Sequence, residues 1–178
     1  MGYWNTRGLR GSTFEEMINT TNTAYREKGL ALIQKVPTPI TPISIDKNNR
    51  SISHAYFEKK STVDYLGVVQ GIPVCFEAKE TSKNYLPLQN IHEHQMNFMK
   101  DFVRQKGIAF LLVSFTAKNE MFFLPFDILK TYWDAARADG RKSIPHDCFD
   151  KDFIVVSRQG FLVHYLEAID TYLRKREE

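Results

Sequence analysis

The sequence predicts an α/β fold in which a mixed central sheet is flanked by helices and a β-ribbon stalk protrudes from it. Three observations carry that expectation. Two apolar, β-branched runs flank Gln70-Gly71, the mark of a tight hairpin with positive φ at its turn. Around that hairpin the segments run in the order helix, strand, hairpin, helix, strand. Between the first strand and the hairpin, Pro37, Pro39 and Pro42 impose an extended path on a stretch whose alternation suits a ribbon rather than a core.

Taken in order, residues 1–11 read as a Gly- and Arg-containing arm. Ser12-Thr13-Phe14-Glu15 is a capping box that opens a helix with apolar positions at Phe14, Met17, Ile18 and Tyr25, closed near Gly29. Leu30–Val36 reads as a strand. The stalk spans about residues 37–60, with the turn-rich Asp46-Lys47-Asn48-Asn49-Arg50 between Ile43-Ser44-Ile45 and Ser51-Ile52-Ser53. The hairpin follows, then Tyr85-Leu86-Pro87 and a helix from about Asn90 to Lys106, stopped by Gly107. Ile108–Phe115 and Glu120–Leu124 are strands joined by Thr116-Ala117-Lys118-Asn119. A helix over Phe126–Ala138 ends at Asp139-Gly140, residues 141–152 read as a loop, Phe153–Val156 as a short strand, and Leu162–Arg174 as a closing helix.

The composition suits one domain over residues 1–178, with 43% hydrophobic and 25% charged residues and 13 phenylalanines for a core. A net charge of +3 permits nucleic-acid binding without arguing for it, so local clusters must make that case. Cys75 and Cys148 are far apart and match no zinc spacing, which points to buried thiols in a reducing, cytoplasmic setting rather than to a disulfide framework. No apolar run reaches the length of a membrane-spanning helix, and the first residues lack the apolar core of a signal peptide.

The hairpin carries the chemistry. A two-residue turn at Gln70-Gly71 pairs Val69 with Ile72 and, counting outward, Asp64 with Glu77 and Thr62 with Lys79. Alternate residues share a face of a strand, so Thr62, Asp64, Glu77 and Lys79 fall on one side. Two carboxylates held that close repel each other unless a cation lies between them. Hard divalent cations such as Mg²⁺ take such oxygens and leave positions for water and phosphate. A lysine two residues beyond the second carboxylate projects to the same side, where its ammonium can offset charge developing on phosphorus. Asp64, twelve residues, then Glu77-Ala78-Lys79 resembles the D…(D/E)-x-K pattern of restriction-endonuclease-like nucleases. The plainer alternative is a surface Glu-x-Lys pair on a strand, and a bulge in the turn would break the shared face.

A broader resemblance covers Arg10 to Pro125. The strings Arg10-Gly11-x-x-Phe14-Glu15, Pro37-Thr38-Pro39, Ala55-Tyr56-Phe57, Ser61-Thr62-Val63-Asp64-Tyr65, Phe76-Glu77-Ala78-Lys79-Glu80-Thr81 and Pro87-Leu88-Gln89-Asn90-Ile91-His92-Glu93-His94-Gln95 resemble, in order and spacing, the RecU family of Holliday junction resolvases. The resemblance implies a restriction-endonuclease-like core and a Mg²⁺-dependent endonuclease, with Mn²⁺ as a substitute, that resolves four-way DNA junctions in recombination and repair. It implies catalysis by Asp64, Glu77 and Lys79, with Thr62, Asp64, Glu77 and Gln95 at the metal. It also implies a homodimer, a stalk that enters the junction centre, and a recombinase as a further partner. Two rivals remain at this point: a general nuclease of the same fold, and a non-catalytic DNA-binding or recombinase-regulating protein.

DNA contacts are expected from Lys47, Arg50, His54, Lys59 and Lys60, with Tyr56 and Phe57 among them, since cations bind phosphate and aromatics stack on bases. Lysines that keep an edge ribbon from aggregating are the competing account. Arg7 and Arg10 in the arm are a second phosphate or minor-groove candidate. Ile43, Ile45, Ile52 and Phe57 are candidates for the dimer interface. Glu15 has two competing jobs, capping its helix or lending an acid to the site. His92 and His94, two apart on the expected helix, should point to different faces and make no zinc site, while Gln95 faces the sheet.

Overall fold

The computed structural model describes residues 13–46, 49, 51–57 and 62–177, with the side chain of Phe57 excepted. Its centre is a six-stranded mixed sheet built from β1 (Ala31–Lys35), β4 (Tyr65–Val69), β5 (Ile72–Thr81), β7 (Ile108–Phe115), β8 (Glu120–Pro125) and β10 (Ile154–Val155), in the order β1-β4-β5-β7-β8-β10. Only the β5–β7 pair is parallel; the other neighbours run antiparallel. A parallel pair needs a crossover, and the chain supplies it through β6 (Tyr85–Pro87) and α2 (Glu93–Arg104). This is the expected mixed sheet flanked by helices.

The helices lie on both faces because the strands of β5 and β7 are apolar on both sides. On one face α1 (Thr13–Glu27) and α4 (Leu166–Glu177) bury Phe14, Ile18, Tyr25, Ala168 and Ile169 against Phe76, Phe110 and Phe123. Tyr65, Phe76, Phe110 and Phe123 form an aromatic row across four neighbouring strands, with successive ring centroids 4.6, 4.8 and 4.4 Å apart. Contacts at these distances add to the area each ring removes from water. On the other face α2 and α3 (Phe126–Arg137) cover Cys75, Leu111, Val113 and Leu124 with Met96, Met99 and Leu129.

The Gln70-Gly71 turn forms as expected, with φ of 46° and 88° and Val69 paired with Ile72. The stalk also forms: β2 (Ile40–Asp46) pairs with β3 (Ser51–Phe57) as a separate two-stranded sheet, with irregular register around Pro42 and Ser44. A proline cannot donate to a ladder, which accounts for irregularity there.

Five local expectations need correction, the first being that both thiols are buried: Cys75 is, but Cys148 is exposed. Residues 141–152 are not a plain loop: Ser143–Pro145 is a strand, β9, paired with Tyr85–Pro87, and 3-10 turns follow at His146–Cys148 and Lys151–Phe153. The last helix starts at Leu166 rather than Leu162, because Phe161, Val163 and Tyr165 are drawn into the core through bends and a turn. Thr21 and Asn22 on α1 tie that segment down, accepting from the Val163 N–H and the Tyr165 hydroxyl. The ladder between β4 and β5 stops at Tyr65–Phe76, so neither Asp64 and Glu77 nor Thr62 and Lys79 are a strand pair, although Asp64 and Glu77 still meet through side-chain hydrogen bonds. His92 is the cap of α2 in extended conformation, so its ring stacks on His94, with centroids 5.5 Å apart, instead of pointing away from it.

Candidate active site

Along β5, Phe76 enters the aromatic core while its neighbours Glu77 and Lys79 face the side covered by α2. Asp64 lies one residue before β4, at the position that continues the register opposite Glu77. The two residues latch each other. The Asp64 N–H donates to Glu77 Oε2 at 3.0 Å, and the Ala78 N–H donates to Asp64 Oδ2 at 3.3 Å. The Asp64 carbonyl accepts from the Val36 N–H at 2.7 Å, which joins the exit of β1 to the same point.

Glu77 is almost wholly buried, at 3% exposure, a position carboxylates rarely occupy without partners. Its Oε1 accepts from Lys79 Nζ at 2.8 Å and from the Gln95 amide nitrogen. Asp64 is in a different electrostatic position. Burial, the charge of Glu77 and a side-chain hydrogen bond with Glu77 push its carboxyl up from 3.8 to about 7, with Ala78 N–H and Lys79 pulling part of the way back.

Thr62, Asp64 and Gln95 line one small cavity together with Val36, Pro37, Thr38 and Pro39. Thr62 thus reaches the site without being a strand partner. Thr38 and the reach of Gln95 across eighteen residues to Glu77 are parts that hairpin reasoning alone does not supply. Of the three prolines read as stiffeners of the stalk, Pro37 and Pro39 also form a wall of the site, and their position soon after β1 was the available signal. Glu15 is engaged by Lys35 at the end of β1. The charges of Glu15, Asp64 and Glu77 all bear on the buried Tyr65 phenol and, after burial itself, hold its pKa up.

Among the described residues there is no cluster of three or more His, Cys, Asp or Glu side chains placed to hold a metal. The donor set is instead two carboxylates with hydroxyl and amide neighbours, which fits a hard divalent cation sharing its sphere with water and phosphate rather than zinc. His54 and Tyr56 sit exposed on β3. Arg7, Arg10, Lys47, Arg50, Lys59 and Lys60 lie outside the described residues, as does the side chain of Phe57. Of the interface candidates, Ile43, Ile45 and Ile52 are exposed on the stalk. No helix among the described residues is long and apolar enough to cross a membrane.

Comparison with known proteins adds a sequence relationship. The family described as Recombination protein U, RecU, matches residues 9–171. The chain is 46% identical over 142 residues to the Holliday junction resolvase RecU of Geobacillus sp. (strain WCH70), covering 78% of this chain and 71% of that one. It is 42% identical over 168 residues to the Holliday junction resolvase RecU of Pediococcus pentosaceus, covering 92% and 84%. The solved Holliday junction resolvase Hjc of Archaeoglobus fulgidus aligns with a TM-score of 0.47 at 11% identity, over 78% of this chain and 91% of that one, a likeness too loose to carry weight.

Proposed function

The chain belongs to the Recombination protein U family, and from that premise we propose that it is a metal-dependent, structure-selective endonuclease that resolves four-way DNA junctions. The observation that carries the reading is the pair of half-buried Asp64 and buried Glu77, latched to each other and served by Lys79 and Gln95. Asp64 and Glu77 hold a divalent cation, Mg²⁺ in the first place and Mn²⁺ as a substitute, with Thr62 and Gln95 completing or supporting its shell. The bound cation supplies Lewis acidity toward the scissile phosphate and lowers the pKa of water at the site.

The protein's own residues do the rest. Lys79, held on Glu77, has further N–H donors for the charge that grows on the phosphate oxygens, or for aligning the attacking water. The reciprocal latch fixes the two carboxylates before DNA arrives, so little reorganisation is left for the reaction. Glu15 is an accessory acid that holds Lys35 at the end of β1.

Four-way resolution requires two opposed strands to be cut, and a two-fold homodimer presenting two sites is the simplest geometry. The stalk, with Lys47, Arg50, Tyr56, Phe57, Lys59 and Lys60, supplies the junction-specific contact, and Arg7 and Arg10 add phosphate contacts. The whole chain, residues 1–178, acts as one nuclease domain in the cytoplasm, working beside a recombinase.

Cleavage of a synthetic four-way junction and of linear duplex, with Mg²⁺ and with chelator, tests this reading. Paired symmetric nicks confined to the junction in Mg²⁺ are expected. Equal cutting of both substrates would make the protein a general nuclease, and junction binding without cutting a non-catalytic binder. Sedimentation showing only a species near 20.7 kDa with full resolving activity would overturn the dimer.

A further inference from the structure

The wall that the exit of β1 gives to the carboxylate site consists of Val36, Pro37, Thr38 and Pro39. The Val36 N–H is taken by the Asp64 carbonyl at 2.7 Å, and a proline has no N–H to offer. Thr38 remains, with a backbone N–H and a hydroxyl, and neither has a hydrogen-bond partner among the described residues. Thr38 is exposed, whereas Thr62 and Asp64 on the other side of the cavity are half-buried and Gln95 is buried. It therefore stands at the mouth, with the carboxylate side lying deeper.

The backbone of this wall has little freedom. The rings of Pro37 and Pro39 fix their own φ near about −65°, and the residues before them, Val36 and Thr38, are kept out of the helical region. The Val36–Asp64 bond ties the stiff segment to the backbone of Asp64, so the placing of Thr38 beside the carboxylates is set before any substrate arrives. The cavity between them measures about 40 Å³, little more than the roughly 30 Å³ that one water takes in the liquid. It has room for a cation or a water and none for a nucleotide. A DNA backbone served by this site lies across the mouth, where Thr38 is.

Resting on the nuclease reading, we infer that Thr38 binds substrate: its hydroxyl donates to a non-bridging oxygen of the scissile phosphate. A hydrogen bond from a neutral donor to an anionic oxygen is stronger than a neutral pair, and it adds no cation to compete with the metal. Two residues on, the chain enters β2 at Ile40, so one rigid segment joins the stalk to the phosphate being cut.

Thr38→Val keeps the shape of the side chain and loses the donor. It should lower the single-turnover cleavage rate on a four-way junction in Mg²⁺ by about tenfold or more, and Thr38→Ser should recover most of that loss. Calorimetry should show Mn²⁺ binding to Thr38→Val within about threefold of wild type. Cleavage by Thr38→Val within about threefold of wild type, or Mn²⁺ affinity down by about tenfold, would overturn the assignment. Junctions with one phosphorothioate at the cleaved position, each diastereomer tested apart, identify the contact atom. The penalty of Thr38→Val should disappear on the diastereomer whose sulfur replaces the accepting oxygen and persist on the other. An equal penalty on both would mean that Thr38 acts by shape alone, and the phosphate contact would fall. A last measurement needs no cleavage. In Ca²⁺ with saturating junction, irradiating the DNA sugar protons should attenuate the Thr38 methyl signal of threonine-methyl-labelled protein, assigned by its loss in Thr38→Val. A signal left unchanged would overturn the inference. If the unaltered protein cuts no DNA, the nuclease reading fails on its own, and the methyl signal still decides whether a DNA backbone rests on Thr38.

Discussion

The β4–β5 hairpin and the β2–β3 ribbon are both two-stranded antiparallel units, and only a short stretch of chain separates them. The first is paired on both outer edges, by β1 and β7, and packed on both faces. The second pairs only with itself and leaves Ile43 and Ile45 69% and 58% exposed. Register in the first runs without interruption from Tyr65–Phe76 to Val69–Ile72, whereas the second shifts around Ser44. A ribbon of this kind is marginal in water by itself, and its exposed apolar side chains add little to the fold. The difference teaches where each part of the function can reside. In the proposed function, chemistry that tolerates little displacement is assigned to the pinned hairpin, and recognition of a DNA shape to the unpinned one.

The largest effect should come from the pinned hairpin. Asp64→Ala or Glu77→Ala should reduce junction cleavage by about a thousandfold or more in Mg²⁺, while junction binding in gel-shift assays changes by less than about threefold. Cutting near the wild-type rate by either variant would move the active site elsewhere. Lys79→Ala should also lose most activity, with metal affinity closer to normal.

Stability should separate the two ribbons next. Phe76→Ala removes the ring that stacks between Tyr65 and Phe110, and should cost about 3–5 kcal/mol in denaturant unfolding. Ile52→Ala on the stalk, half exposed already, should cost about 0.5 kcal/mol or less. Similar costs at the two positions would mean that the stalk is part of the folding core.

A third experiment exchanges Lys47–Ser51 for a short Gly-rich turn. Fold and metal binding should survive, and affinity for linear duplex should fall little. Preference for the junction and its cleavage should fall together by about tenfold, because generic phosphate contacts discriminate poorly among DNA shapes. Equal losses on both substrates would reduce the stalk to a phosphate clamp.

The smallest expected effect is a pH dependence in metal-free buffer. The Asp64 carboxyl, pushed up from 3.8 to about 7, keeps a proton in the folded chain that the unfolded chain has already released. Its contribution therefore favours the fold at low pH and is lost as pH rises through about 7. Asp64→Asn should match the wild-type Tm near pH 4 and exceed it by a few degrees at pH 8, and divalent metal should reverse that order. A difference that does not vary with pH would refute the electrostatic account of the pair.

Much of this was readable locally. The Gln70-Gly71 turn and the period-two pattern on either side place Asp64 opposite Glu77, since turn and alternation together leave one register. Stop residues near Gly29, Gly107 and Gly140 located the ends of α1, α2 and α3 to within a few residues, because such signals act over one helical turn. The motif strings pointed to the RecU family for the same reason: they are short runs, each legible in place. Tertiary structure alone decided the rest. The three-residue strands Tyr85–Pro87 and Ser143–Pro145 are too short to show a period and exist only through each other. Residues 162–165 read as helix until α1 and the sheet claim Val163 and Tyr165 for the core. The hold of Gln95 on Glu77, and the wall that Thr38 adds beside Asp64, depend on a helix and a strand exit that only the closed sheet brings together. Sequence patterns report what a residue does with neighbours a few positions away, and these contacts span gaps for which no local period exists.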